Sequence, residues 1–564
     1  MKNKTVNITP ILNKIIFLFL LLFLIISIPY SICYANSDPY PKNQEIDVLN
    51  YVFNITLSDE KDEILCEEII DLRFVENGIK KIRLDLVNAS NESNGKGMKV
   101  IDLLSNNKKL KFIHENNNLY IFLNTASKKN DRVQFKITYR GIPEEGLYIG
   151  NNKYGDRTFF SDNWPDRARH WLALIDHPSD KAKCEFVVTA PDHYQVISNG
   201  LKIEETHLDG NKLLTHWKQS VPIAPWLYVL GVAEFAIQYF DEFKGKSLQT
   251  WVFKQDRDAG FYDYSYPTKN ALEFYENNIG PFSYEKLANI QSNSVSGGME
   301  AASAILYSDK SVVGDRNERW RNVIIHEIAH QWFGNSVTEF SWDDIWLSEG
   351  FATYFTLLFI EHEYGRDEFI KGLKSSKKTV DNFHKKYPNY TVIHNDLKDM
   401  KDVTSVQTYQ KGSWILHMLR GLLGTKIFWK GIRAYYLKYK DFNASTKDFK
   451  TIMEEVSGKD LTKFFDQWLY KPGNLVLDGV WKYEKNLQEI SLELKQVQKG
   501  NVLIEMPLEI GIDYGENEYK IEKINLKQLN RLYKIKAHKE PLNVIIDPNM
   551  WVLKNHTLKK IKSS

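Results

Sequence analysis

Three changes of pattern along this 564-residue sequence predict a multidomain α+β chain. Strand-like alternation fills the first part, helical periodicity dominates the middle, and alternation returns after residue 474. The length allows about three or four domains with sizeable cores. The expected division is a signal peptide at 1–35, an N-terminal antiparallel β domain at 36–242, a mixed α/β domain at 243–474, and a short C-terminal β-sandwich-like domain at 475–564.

The leader is read from its order of residues. Lys2, Lys4 and Lys14 precede an apolar run from Ile15 to Ile28, followed by Pro29 and the exit Cys33-Tyr34-Ala35. Such a run is short for a membrane span. The expectation is an exported protein, periplasmic, extracellular or attached to the cell envelope, that meets a membrane only through an uncleaved leader if at all. Tyr30-Ser31-Ile32 fit a lipobox badly, which argues against a lipid on Cys33. Past the leader only Cys66 and Cys184 remain, with no partner nearby in sequence. They predict buried apolar thiols rather than a disulfide framework or a thiolate metal site.

In the first block, Asp47 to Leu57, Val133 to Tyr139 and Cys184 to Thr189 alternate apolar and polar residues between Asn, Asp and Gly turns. That is the pattern of an antiparallel sandwich or saddle. Asp241 to Lys246 is the expected linker. The middle block opens with strands near Leu287 to Gln291 and Ala301 to Tyr307. Helices are then expected at Arg316 to Phe333, Ile345 to Glu363, Gly412 to Leu423 and Leu461 to Leu469, with Gly334 stopping the first. Strands return in Gln488 to Leu494 and Pro541 to Ile546. A net charge of +2 excludes the basic face that a nucleic-acid partner needs. The lysines from Lys371 to Lys378 are accordingly read as a solvated helix face.

Chemistry concentrates in His326-Glu327-Ile328-Ala329-His330, followed after 18 residues by Glu349. On a helix, positions i and i+4 share a face, so both imidazoles can reach one ion. Glu327 then stands beside that ion as a general base. Two His and one Glu leave the fourth tetrahedral position open, as in a catalytic zinc site. The plain alternative is a pair of hydrogen-bonded core histidines. Val323-Ile324-Ile325 and Ile328-Ala329 make this helix apolar on most sides, and burying two imidazoles and a carboxylate there is costly without a ligand. Ser296-Gly297-Gly298-Met299-Glu300 adds glycines that allow close backbone approach and a carboxylate that could anchor charge. Tyr409-Gln410-Lys411-Gly412 offers a phenol able to donate to an oxyanion. Taken alone, a turn and simple packing explain these last two as well.

Gly297 to Glu300, the His326/His330/Glu349 set with its spacing, Gln331 to Asn335, Glu349 to Ala352 and Tyr409 to Gly412 together resemble the aminopeptidase N family of gluzincin-type zinc metallopeptidases, which also includes leukotriene A4 hydrolase. The similarity extends to Trp164 to Trp171, Asp176 to Ala182 and Phe465 to Leu469. It implies a thermolysin-like catalytic domain and one Zn2+ per chain on His326, His330 and Glu349. Glu327 would be the general base on a zinc-bound water and Tyr409 the oxyanion donor. Glu300, within the Gly297-Gly298-Met299-Glu300 substrate-binding run, would hold the substrate's α-ammonium, with Asp162 as a second amine anchor. Peptides with a free N-terminus are the implied substrates.

Three departures stand out. Ala301 replaces a usual Asn, Ser348 replaces a frequent Asn before Glu349, and no large helical C-terminal domain is expected after residue 474. An endopeptidase or epoxide hydrolase on the same scaffold, or a non-catalytic peptide binder, are the competing readings. The first disregards the Glu300 anchor, the second lacks any lipid-specific feature, and the third would have lost ligands or base.

Overall fold

The computed structural model describes residues 43–393, 397, 399–516 and 518–562. The leader expected at 1–35 lies outside the described residues. Among these residues no helix is long and apolar enough to cross a membrane.

The N-terminal region is β-rich, as its alternation predicts. Its largest sheet has eight strands, in the order 201–208, 212–223, 182–191, 46–56, 64–74, 132–142, 97–105 and 108–109. Ile46–Thr56 buries Ile46, Val48, Tyr51, Phe53 and Ile55 and turns mostly polar neighbours outward. The expected antiparallel sheet needs one correction: Ile46–Thr56 pairs parallel with Ala182–Pro191. A long excursion through two smaller sheets separates these strands in sequence, which a parallel pairing requires. Cys66 and Cys184 are both buried free thiols, as expected.

The segment expected as a linker is instead a hairpin turn. Phe235–Phe243 and Lys246–Phe253 pair around Lys244 and Gly245, both at positive φ. The second strand continues a five-stranded mixed sheet, parallel to Lys286–Ser292, which is parallel to Ala304–Ser308. Every residue of those two inner strands is buried, as befits parallel strands covered on both faces. The short strand Gly298–Met299 closes the edge, antiparallel to Ala304–Ser308.

Eight α-helices are described: α1 (Arg257–Asn278), α2 (Glu318–His330), α3 (Trp346–Tyr364), α4 (Arg366–Lys386), α5 (Gly412–Leu423), α6 (Thr425–Tyr439), α7 (Thr446–Ser457) and α8 (Thr462–Leu469). The four expected helices coincide with α2, α3, α5 and α8 to within a few residues. Helix α1 is harder to read: its 22 residues mix tyrosines with charges and contain Pro267, so no clean apolar stripe marks it. The lysine-rich run lies on α4, with Lys371, Lys374 and Lys378 exposed. After α8 the described residues return to strands, forming sheets of four and three.

Candidate active site

Helix α2 carries three of the expected residues into the interior. Asn317 caps its start by accepting a hydrogen bond from the Arg319 amide. Its last turn presents His326, Glu327 and His330, and the two Nε2 atoms lie 3.1 Å apart. Glu349 sits in the first turn of α3. Its Oε2 is 3.2 Å from His330 Nε2 and 3.5 Å from His326 Nε2. A tetrahedral ion with ligand distances of about 2.0–2.1 Å needs donors roughly 3.3–3.4 Å apart. The three separations bracket that value. Glu349 Oε2 is also buried without a hydrogen-bond partner among the described residues. The set therefore fits a divalent zinc ion, and these are the residues that would hold it.

Orientation of the second histidine comes from neighbours. His330 Nδ1 lies 3.1 Å from the Phe333 carbonyl and 3.0 Å from Ser348 Oγ. A proton donated from Nδ1 leaves Nε2 as the lone-pair nitrogen facing the donor cluster. Ser348, a departure from the family pattern at the sequence level, thus has a definite partner here. Gly334 (φ 109°) lets the chain turn beside this hydroxyl, where any side chain would strike Ser348 Oγ.

Glu327 and Glu300 complete a buried acidic cluster. Glu327 is 6% exposed and Glu300 5%. Burial, then the Glu300 charge, pushes the Glu327 carboxyl well up. Glu300 is raised to about 7, chiefly by burial, against the pull of His330. Glu349 runs the other way: burial would raise it, but the two imidazoles hold it at about 2. Three buried carboxylates against two imidazoles leave room for added positive charge, which a divalent ion and an ammonium would supply.

The glycine run divides its tasks. No atom lies within 4 Å of where a Gly297 side chain would begin, whereas a Cβ on Gly298 would overlap Cγ, Cδ and Oε1 of Glu327. The close approach expected toward a ligand is therefore made, at Gly298, toward Glu327. Met299 is buried beside it. The Glu300 carbonyl is gripped by Gln331 Nε2 at 3.0 Å and Asn335 Nδ2 at 2.6 Å, while Glu300 Oε1 has no hydrogen-bond partner among the described residues. Gln331 and Asn335 were legible only as parts of a motif, since their targets lie about 30 residues back in the chain.

Tyr409 comes from a π-helical turn, Gln407–Lys411, leading into α5. Its hydroxyl donates to Glu349 Oε1 at 2.6 Å, and its ring lies parallel to that of His326. Gly350 and Gly412 permit this meeting: a Cβ at Gly350 would be 3.0 Å from Gly412 backbone atoms and from the Thr408 carbonyl. Asp162 is near enough for its charge to raise Glu300, but its carboxylate already meets Arg167 at 2.6 Å. It reaches the site as half of an ion pair rather than as a free carboxylate.

Residues 265–468 match the Peptidase family M1 domain and residues 48–227 the Peptidase M1 N-terminal domain, together more than half of the chain. Among curated proteins the chain is 26% identical over 416 residues to "Probable aminopeptidase 1" of Sulfurisphaera tokodaii, covering 71% of this chain and 52% of that protein. It is 30% identical over 339 residues to human "Glutamyl aminopeptidase", covering 56% and 34%. To the "Leucyl aminopeptidase" of Saccharolobus solfataricus it is 27% identical over 413 residues, covering 70% and 51%. The matched stretches span between a third and about half of these relatives' own length.

Proposed function

Because this chain belongs to the peptidase M1 family, we propose that it is a zinc-dependent aminopeptidase removing the first residue from peptides with a free N-terminus. One observation carries the restriction to free amines: Glu300 is a buried carboxylate with an unpartnered oxygen, 3.9 Å from His330 and so beside the metal donors. A substrate α-ammonium satisfies that oxygen, whereas an acetylated or internal peptide leaves it unpaired.

Zinc on His326, His330 and Glu349 supplies Lewis-acid chemistry, activating water and polarising a carbonyl near neutral pH. Glu327, held against Gly298, accepts the proton of the attacking water and returns one to the departing amine. Burial raises its carboxyl, which favours holding the proton between the two transfers. Tyr409 turns its hydroxyl from Glu349 Oε1 to the developing oxyanion. The order of charged and apolar residues in 1–35 supports export of the mature chain.

A panel of aminoacyl fluorophores, each with its N-acetylated twin and with or without chelator, tests this reading. Free amines should be cleaved, acetylation should suppress the rate, and chelator should abolish it reversibly with zinc. Glu327→Gln should keep zinc and lose turnover. Equal cleavage of acetylated or blocked internal peptides would instead support an endopeptidase.

A further inference from the structure

The cleft beyond the metal donors continues for a volume of about 680 Å³ along α2, α3 and α4. Its direction follows from the site. Glu300 lies against His330 at the C-terminal end of α2, so a substrate amine held there sends the rest of the peptide past His326 toward the start of that helix. On that wall stand Arg319, Arg321, Asn322, Tyr364 and Lys371.

Arg321 differs from its neighbours. Lys371 already pairs with Glu368 at 3.2 Å, and Arg319 is exposed over the Trp320 ring. Arg321 is half-buried, with its guanidinium carbon 4.2 Å from the Tyr364 ring centroid. Nε and Nη2 both meet Asn322 Oδ1, at 3.2 and 3.1 Å. One edge and one face are thus fixed, while Nη1 has no hydrogen bond among the described residues. The half-buried Arg157, Arg167 and Arg420 each meet a carboxylate within 2.9 Å. Among the described residues Arg321 has none. Lys371 lines the same wall, and its hydrogen bond to Glu368 raises its pKa against the nearby Arg321 charge, so two cations share this wall. An immobilised fork with a spare edge is what a carboxylate recognises.

Spacing identifies which carboxylate. Arg321 precedes His326 by five residues, about 7.5 Å along the helix axis. Two extended peptide residues span roughly 7 Å. The geometry points to Arg321 as the anchor for a substrate's C-terminal carboxylate two residues beyond the cleaved bond, making free-acid tripeptides a favoured substrate class. This inference rests on the aminopeptidase reading.

The test uses the full chain and the pair X-Gly-Gly and X-Gly-Gly-amide, with X the best residue from the aminoacyl panel. The free acid should exceed the amide about tenfold in kcat/KM, chiefly through KM, as for a partly solvated charge-assisted pair. Arg321→Gln should bring the ratio to about one, and Arg321→Lys should keep part of it. Melting temperature verifies that each variant is folded; should Gln unfold the chain, the wild-type ratio and the Lys variant decide. A wild-type ratio near one, or a ratio unmoved in folded Arg321→Gln, leaves Arg321 with a stacking role only and overturns the inference while the aminopeptidase reading stands. Failure to cleave any free-amine substrate overturns that reading, and this one with it.

Discussion

Replacing Gly298 with alanine tests whether the short edge strand positions Glu327, the proposed general base. The backbone at Gly298 needs no positive φ, so alanine is locally tolerated. Its methyl, however, would sit roughly 1 Å inside ordinary contact with Cγ, Cδ and Oε1 of Glu327. The strand is paired to Ala304–Ser308 and cannot easily retreat, so Glu327 must swing aside by about that distance. A displacement near 1 Å in a catalytic group costs on the order of a hundredfold in rate, about 2.7 kcal/mol of barrier. The atoms a Gly298 Cβ would meet first all belong to Glu327 and none to His326, His330 or Glu349, so zinc should stay stoichiometric. The assay is kcat/KM on an aminoacyl fluorophore, with metal content measured on the same sample. Near-wild-type turnover in a zinc-loaded Gly298→Ala protein would refute the reasoning, and loss of zinc would show that the strand supports the ligands instead.

Tyr409→Phe should keep zinc and lower kcat by about a hundred- to a thousandfold, as for other oxyanion donors; a change under tenfold removes Tyr409 from that role. Ser348→Ala deletes one of two partners of His330 Nδ1, and zinc dissociation, followed by competition with a chelator, should tighten or hold only if that contact is idle; about tenfold weaker binding is expected. Glu68, buried in the N-terminal core, is pushed by burial to about 8 despite hydrogen bonds from Tyr139 and the Ala173 amide. Its folded pKa lies above the unfolded value of about 4.3, so its favourable contribution is complete below that pH and is lost as pH rises toward 8. Unfolding free energies from urea titrations should therefore fall for wild type relative to Glu68→Gln between pH 5 and 8, by about 1.4 kcal/mol per pH unit at most; parallel profiles would dismiss the assignment.

Much of the site was legible because its residues are local or regularly spaced. His326 and His330 needed only helical geometry, and their apolar flanks announced a buried helix. Glu349 followed from its fixed distance, and the α5 boundaries from the apolar periodicity of Gly412 to Leu423. Legibility failed where a pairing joins distant segments. Strand alternation gives no partner, so the parallel match of Ile46–Thr56 with Ala182–Pro191 was hidden. The hairpin at Lys244-Gly245 resembled a polar linker because turns and linkers share a composition.

By itself, the sequence determined the types of element, the candidate metal-holding set and the carboxylates near it, since helix period and side-chain chemistry are properties of short stretches. Only the tertiary structure decided that Gly298 rests on Glu327, that Ser348 steadies His330, that Tyr409 is tied to Glu349, that Asp162 arrives already paired, and that Arg321 lines the cleft with no acid partner among the described residues. Each of these depends on which surfaces pack together, and packing is set by contacts between residues that the chain order keeps apart.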